Sequence, residues 1–154
     1  MARSVLLVSG LLAGLAAMLA LGTADAADPA FCGKYSSEAL KSVQAAKQLK
    51  CGFGGPRWNN NQGLHMGWCL ASPPQAAHFE SAARASALTL CTCDWYANHT
   101  MVQVWRNIAE KCGFGGVRWL ESRKAHYEWC KNVNPPFHAL QNELDIRKKM
   151  LKGC

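Results

Sequence analysis

Apolar residues follow two unlike patterns along this chain. From Val5 to Leu21 they run almost without interruption, with Arg3 ahead of them and Ala24-Asp25-Ala26 behind. A positive start, an apolar run and a small-x-small site make an export signal, so segment 1–26 is predicted to be removed and the mature chain to begin near Ala27. The alternative is an uncleaved membrane anchor, because about 17 apolar residues is the lower limit for spanning a bilayer. The Ala and Gly content of the run and its cleavage site favour the signal. No later stretch is apolar enough to give a stable membrane span.

Beyond residue 26 the apolar residues instead recur at helical spacing. Tyr35, Ala39, Leu40, Val43 and Ala46 do so between Cys32 and Cys51, and Tyr96, Met101, Val104 and Ile108 between Cys93 and Cys112. Each set predicts a helix. Gly52 and Gly113 follow at once and suit the left-handed residue that closes a helix. After the loop Gly-Phe-Gly-Gly, a short second helix is predicted from about Asn59 or Leu120 into Cys69 or Cys130. A third opens at Ser72-Pro73-Pro74 or Asn134-Pro135-Pro136, with Ser72 or Asn134 as N-cap and proline in the first turn.

The elements come twice because the sequence does: CGFGGPRWNNNQGLHMGWC returns as CGFGGVRWLESRKAHYEWC. Cys32, Cys51 and Cys69 align with Cys93, Cys112 and Cys130 at one offset, and two single-residue shifts later Cys91 aligns with Cys154. The predicted fold class is therefore all-α: two tandem disulfide-stapled three-helix repeats, 27–92 and 93–154, after the signal peptide.

All eight cysteines lie beyond the signal. An even number in a short exported chain implies a disulfide framework. Free thiols or a metal cluster are the alternative, but the C-x2-C pairs of zinc sites and the C-x2-C-H of haem attachment are absent, so no metal and no cofactor is expected. Helix length then selects among the pairings. The first and second cysteines of each half stand at opposite ends of one helix, roughly 25 Å apart, and cannot bond. Antiparallel packing returns the third cysteine to the level of the first and the fourth to the level of the second. This predicts Cys32-Cys69, Cys51-Cys91, Cys93-Cys130 and Cys112-Cys154.

Net charge is +7 and stays there when the signal leaves, since Arg3 and Asp25 cancel. A cationic exported chain meets envelope polysaccharide, anionic polymers or surface proteins before nucleic acid, and no nucleic-acid partner is expected. Moderate positive charge also simply maintains solubility.

The candidate ligand-binding residues are the polar and aromatic set that recurs: Tyr35, Arg57, Trp58 and His65, returning as Tyr96, Arg118, Trp119 and His126. Arg beside Trp offers a planar two-pronged donor and a flat ring for a sugar face. Phe53, Trp68 and Leu88, with Phe114, Trp129 and Leu151, read as core. Glu80 with Arg84, and Glu143 with Arg147, are spaced as intrahelical ion pairs; alternatively they cross to Tyr35, Arg57 and His65 to form a polar cluster. His65 and Cys69 share a helix face, but disulfides explain the cysteine better than zinc does. His78, His99 and His138 have no counterparts and read as surface. Asn98-His99-Thr100 fits a glycosylation sequon, a weak signal.

No nucleophile and base, carboxylate pair or metal constellation stands in the chain, so no catalytic residue is assigned. The expectation is a secreted or periplasmic, non-catalytic binding protein that recognises a cell-envelope glycan, an anionic polymer or a surface protein. A thiol-disulfide oxidoreductase using Cys91 and Cys93 is the alternative, and a purely structural or inhibitor protein is a third.

Overall fold

The computed structural model describes residues 27–154; the export signal assigned to 1–26 lies outside the described residues. Among the described residues there are five α-helices and no strand: α1 Pro29–Gln48, α2 Gln62–Leu70, α3 Pro74–Ala109, α4 Arg123–Val133 and α5 Phe137–Lys152. Two single 3-10 turns, Pro56–Trp58 and Val117–Trp119, precede α2 and α4. The short helices therefore begin at Gln62 and Arg123, with Asn61 and Ser122 as N-caps, and not at Asn59 and Leu120.

Reading three helices in each half implies six, and the structure corrects this. The third helix of the first half and the first helix of the second are one helix, α3, of 36 residues. After Pro74 this segment contains no glycine or proline and is rich in alanine, so nothing interrupts the hydrogen-bond ladder. Thr92 lies inside it, between Cys91 and Cys93.

The helices bury one stripe each. On α1 the buried positions are Cys32, Tyr35, Ser36, Ala39, Val43 and Ala46, which recur every three or four residues along one face. The second half of α3 buries Cys93, Tyr96, Ala97, Thr100, Val104 and Asn107 in the same register. α1 packs on α2 and on the first part of α3, with Cys32, Tyr35, Cys69 and Ala77 at its centre. Cys93, Tyr96, Cys130 and Leu140 form the corresponding centre for α3, α4 and α5, and Val104, Trp119 and Leu151 extend it.

Four disulfides cross these cores, and among the described residues no cysteine is free. Cys32 joins Cys69 and Cys93 joins Cys130, with Cα atoms 5.5 and 5.4 Å apart, both in fully buried positions. Cys51 joins Cys91 and Cys112 joins Cys154, at 5.8 and 5.4 Å; Cys51, Cys112 and Cys154 lie just past helix ends, whereas Cys91 lies in the middle of α3. Each closes a loop of about 40 residues, worth roughly 4 kcal/mol in the chain-entropy account. Four such bonds fit an oxidising compartment. Among the described residues, no helix is long and apolar enough to cross a membrane.

Helix ends depart from the expected chemistry at two places. The left-handed residue that closes α1 is Lys50 (φ 55°), not Gly52, and Lys111 (φ 55°), not Gly113, does the same for α3. The amides of Lys50 and Cys51 bond back to the carbonyls of Lys47 and Ala46, a Schellman closure that falls one residue before the cysteine. Gly52 and Gly113 take a second positive φ, at 70° and 74°, which turns the chain away. Ser72 and Asn134 do not cap the following helices. Ser72 donates its hydroxyl to the Trp68 carbonyl, and Asn134, at φ 46°, closes α4; Pro73 and Pro136 are the N-caps of α3 and α5.

Candidate functional site

Each half brings Tyr, two Arg, Glu and His around one half-open pocket, of about 600 Å³ in the first half and about 650 Å³ in the second. The loop makes this possible. Gly55 and Gly116 adopt φ 84° and 81°, a region that L side chains avoid, and so swing the 3-10 turns back over the helices. Arg57 and Arg118 then lie against α3 and α5.

Arg57 donates from Nε and Nη2 to the two carboxylate oxygens of Glu80, at 2.6 and 3.0 Å. Arg118 grips Glu143 in the same two-pronged way, at 2.6 and 3.1 Å. Behind each pair lies a buried arginine. Arg84 donates to the Tyr35 hydroxyl (3.2 Å) and the Arg57 carbonyl (3.3 Å), and its Nη2 is 3.5 Å from Glu80. Arg147 donates to the Tyr96 hydroxyl (3.2 Å) and the Arg118 carbonyl, and approaches Glu143 at 3.2 Å. Glu80 thus takes part both in an intrahelical pair and in a pair that crosses to the loop. Its carboxyl is held below the usual carboxylate value, first by the Arg57 hydrogen bond, against the opposing effect of burial. Arg84 and Arg147 are only 2% and 1% exposed, so the carboxylate beside each compensates a charge that would otherwise be costly to bury.

His65 and His126 sit one helical turn before Cys69 and Cys130, so the central disulfides hold them in place. Each donates from Nε2 to a backbone carbonyl, that of Asn59 at 2.8 Å or of Leu120 at 2.9 Å. Burial keeps the His126 imidazole below its ordinary value, with the Leu120 bond opposing. Because Cys69 and Cys130 are bonded to Cys32 and Cys93, neither histidine has a thiolate neighbour for a metal.

The tryptophans exchange the places expected of them. Trp58 is half-buried, stacked on Phe53 with ring centroids 4.3 Å apart, and faces a small hollow behind the loop. Trp119 is buried between Phe114 (5.2 Å) and the Arg147 guanidinium. The rings that line the pockets are Trp68 and Trp129, which had read as core but are 42% and 44% exposed. They lean on Tyr35 and Tyr96 at centroid distances of 5.6 and 5.4 Å. Phe53 is also largely exposed. A rotation of about 100° decides this: Trp68 and Trp129 directly precede a buried cysteine on a helix, which turns them to the rim of the core.

The two sites differ in the anchoring of their loops. Asn107 is buried, donates to the Phe114 carbonyl (2.8 Å) and accepts from its amide (3.1 Å). The aligned residue in the first half is Ala46, and Met150 likewise replaces Ala87. The second loop is therefore pinned and its Trp119 covered, while the first is held mainly by Arg57 and its disulfide.

A further hollow, of about 690 Å³, lies where the halves meet, between Lys50 and Phe53 on one side and Trp95 and Tyr127 on the other. Arg123 at its edge is paired with Asp94 and with Asn98. His78, His99 and His138 are exposed, and Thr100 of the sequon is fully buried within α3. Comparison with protein-family models, with curated proteins and with solved structures finds no match to this chain.

Proposed function

We propose that this chain is an exported, non-catalytic binding protein, built from two copies of one disulfide-stapled unit, whose two pockets each hold a unit of a cell-envelope component. That component is a glycan, an anionic polymer or a surface protein, met in a secreted or periplasmic setting. The observation that carries the reading is the tryptophan at the rim. Trp68 and Trp129 stay 42% and 44% exposed at matching positions, beside a polar network whose hydrogen bonds do not involve them. Folding alone favours burying so large a ring, and the same opening recurs where the neighbouring residues differ. The buried arginines and the carboxylates serve the scaffold, and the rims serve recognition.

The oxidoreductase alternative finds no support in the cysteines. Cys91 and Cys93 belong to separate bridges, to Cys51 and to Cys130, and Cys93 is 1% exposed.

Trp68→Ala, Trp129→Ala and the double change test the reading. Each single change is expected to cost about 1–2 kcal/mol of stability, because only part of the ring is buried. Retention on insoluble envelope polysaccharide is expected to fall several-fold for one change and to vanish for two, at temperatures where all variants are folded by circular dichroism. Undiminished retention of the folded double variant would retire the binding reading in favour of a structural one.

A further inference from the structure

We propose that each pocket takes a neutral, hydroxyl-bearing ring, a saccharide unit with no charged group at its point of contact. This rests on the reading that the pockets bind an envelope component and narrows which one.

The hydrogen-bonding groups of the pocket divide into spent and unspent. An anion asks only for donors, whereas a sugar hydroxyl both donates and accepts. The cations are largely spent. The Nε–Nη2 edges of Arg57 and Arg118 are filled by Glu80 and Glu143, which leaves on each only the Nη1 side of a guanidinium whose charge a carboxylate already offsets. Arg84 and Arg147 are engaged with a tyrosine, a carbonyl and the same carboxylate. An anion taking the Nε–Nη2 edge of Arg57 or Arg118 would have to displace a carboxylate that is itself only 19% exposed, and would leave it uncompensated.

The unspent groups are of both kinds. The Tyr35 and Tyr96 hydroxyls accept from arginine, and among the described residues neither donates, so each O–H remains as a donor. His65 and His126 use Nε2–H on a carbonyl, which leaves Nδ1 of the neutral ring as a lone-pair acceptor with no protein donor among the described residues. Tyr35 and His65 both line the first pocket, with ring centroids 6.5 Å apart in an edge-on arrangement, and Tyr96 and His126 both line the second. A donor and an acceptor in one pocket suit a hydroxyl. A carboxylate oxygen there would meet the imidazole lone pair. Beside them, the exposed indole of Trp68 or Trp129 presents an apolar face that matches the C–H face of a pyranose ring.

The test uses the full oxidised chain and three probes: an uncharged trimer of N-acetylglucosamine, a uronic-acid trimer, and inorganic phosphate, with binding read from tryptophan fluorescence and calorimetry. The neutral trimer is expected to bind at least tenfold more tightly than the uronate trimer, with no competition from phosphate. Trp68→Phe combined with Trp129→Phe should keep most of that affinity, and the two Ala changes should lose it. Equal or tighter binding of the uronate trimer, abolished by the Ala changes, would overturn the neutral-ring assignment and leave the pockets as binding sites. Binding of neither trimer by the native chain overturns the assignment too. If the folded double Ala variant is also retained on envelope polysaccharide like the native chain, the wider reading falls with it.

Discussion

Replacing Asn107 with alanine makes the second half imitate the first, where Ala46 already occupies the aligned position. The side chain is 6% exposed and makes two hydrogen bonds to the backbone of Phe114, at 2.8 and 3.1 Å. A net 0.5–1.5 kcal/mol for each gives a loss of about 2 kcal/mol, somewhat offset because Phe114 is only half-buried and water can reach the freed groups. For a helical domain of this size that lowers the melting midpoint by roughly 8 °C. The loss should be local in origin, so the Phe114 amide should exchange faster while the amides of α1 do not change. Thermal melts in moderate guanidinium, with the disulfides intact, and amide exchange by NMR measure both quantities. A midpoint within 1 °C of the native protein, with Phe114 exchange unchanged, would refute the idea that this pair of bonds anchors the loop. The reverse change, Ala46→Asn, should slow exchange at Phe53 if the first loop accepts the same anchor.

Three further outcomes are expected. Lys50→Gly and Lys111→Gly should each raise stability by about 1 kcal/mol in denaturant titrations, because both lysines occupy left-handed backbone that glycine enters freely. Stability should fall as the pH drops from 7 to 5: the folded His126 value lies below the ordinary 6.5, so the unfolded chain binds the extra proton first, and the contribution present above about 6.5 is lost below it. His126→Gln should flatten that slope, while the part due to Glu80, which lies below 4.5, should remain at lower pH. A fragment of residues 27–92 should give helical circular dichroism and a cooperative melt when oxidised, since the core around Cys32, Tyr35, Cys69 and Ala77 draws only on that stretch; a disordered fragment would show that the halves depend on each other.

How far the sequence could be read depended on the kind of signal. Helical spacing at Tyr35, Ala39 and Val43 is a repeated cue, and it points to the face that α1 buries. Helix ends rest on single residues, and there the usual preference for glycine misled: the strained turn falls on Lys50, with Gly52 needed two residues later. The lack of glycine or proline between Gln75 and Ala109 is a sequence sign that α3 continues through Thr92, although the repeat places a boundary there. At Trp68 and Trp129 size argues for burial, whereas their place beside a buried cysteine turns them outward. Glu80 and Glu143 were visible as partners, but spacing alone shows only the intrahelical contact. The two-pronged grip from the loop depends on Gly55 and Gly116 folding the chain back, which is a tertiary outcome.

A helix of 36 residues without a break is a rod of about 54 Å. Along it, Arg84 of the first pocket and Tyr96 of the second are about 18 Å apart in height and turned about 120° from each other. No hinge separates them, so the molecule behaves as a gauge and not as a tether. If the two pockets are filled as proposed, their occupants would be held at a fixed stand-off, without a tether's tolerance for mismatched spacing. Under that reading the protein would keep its two occupants apart at a set distance, as a spacer does between rails.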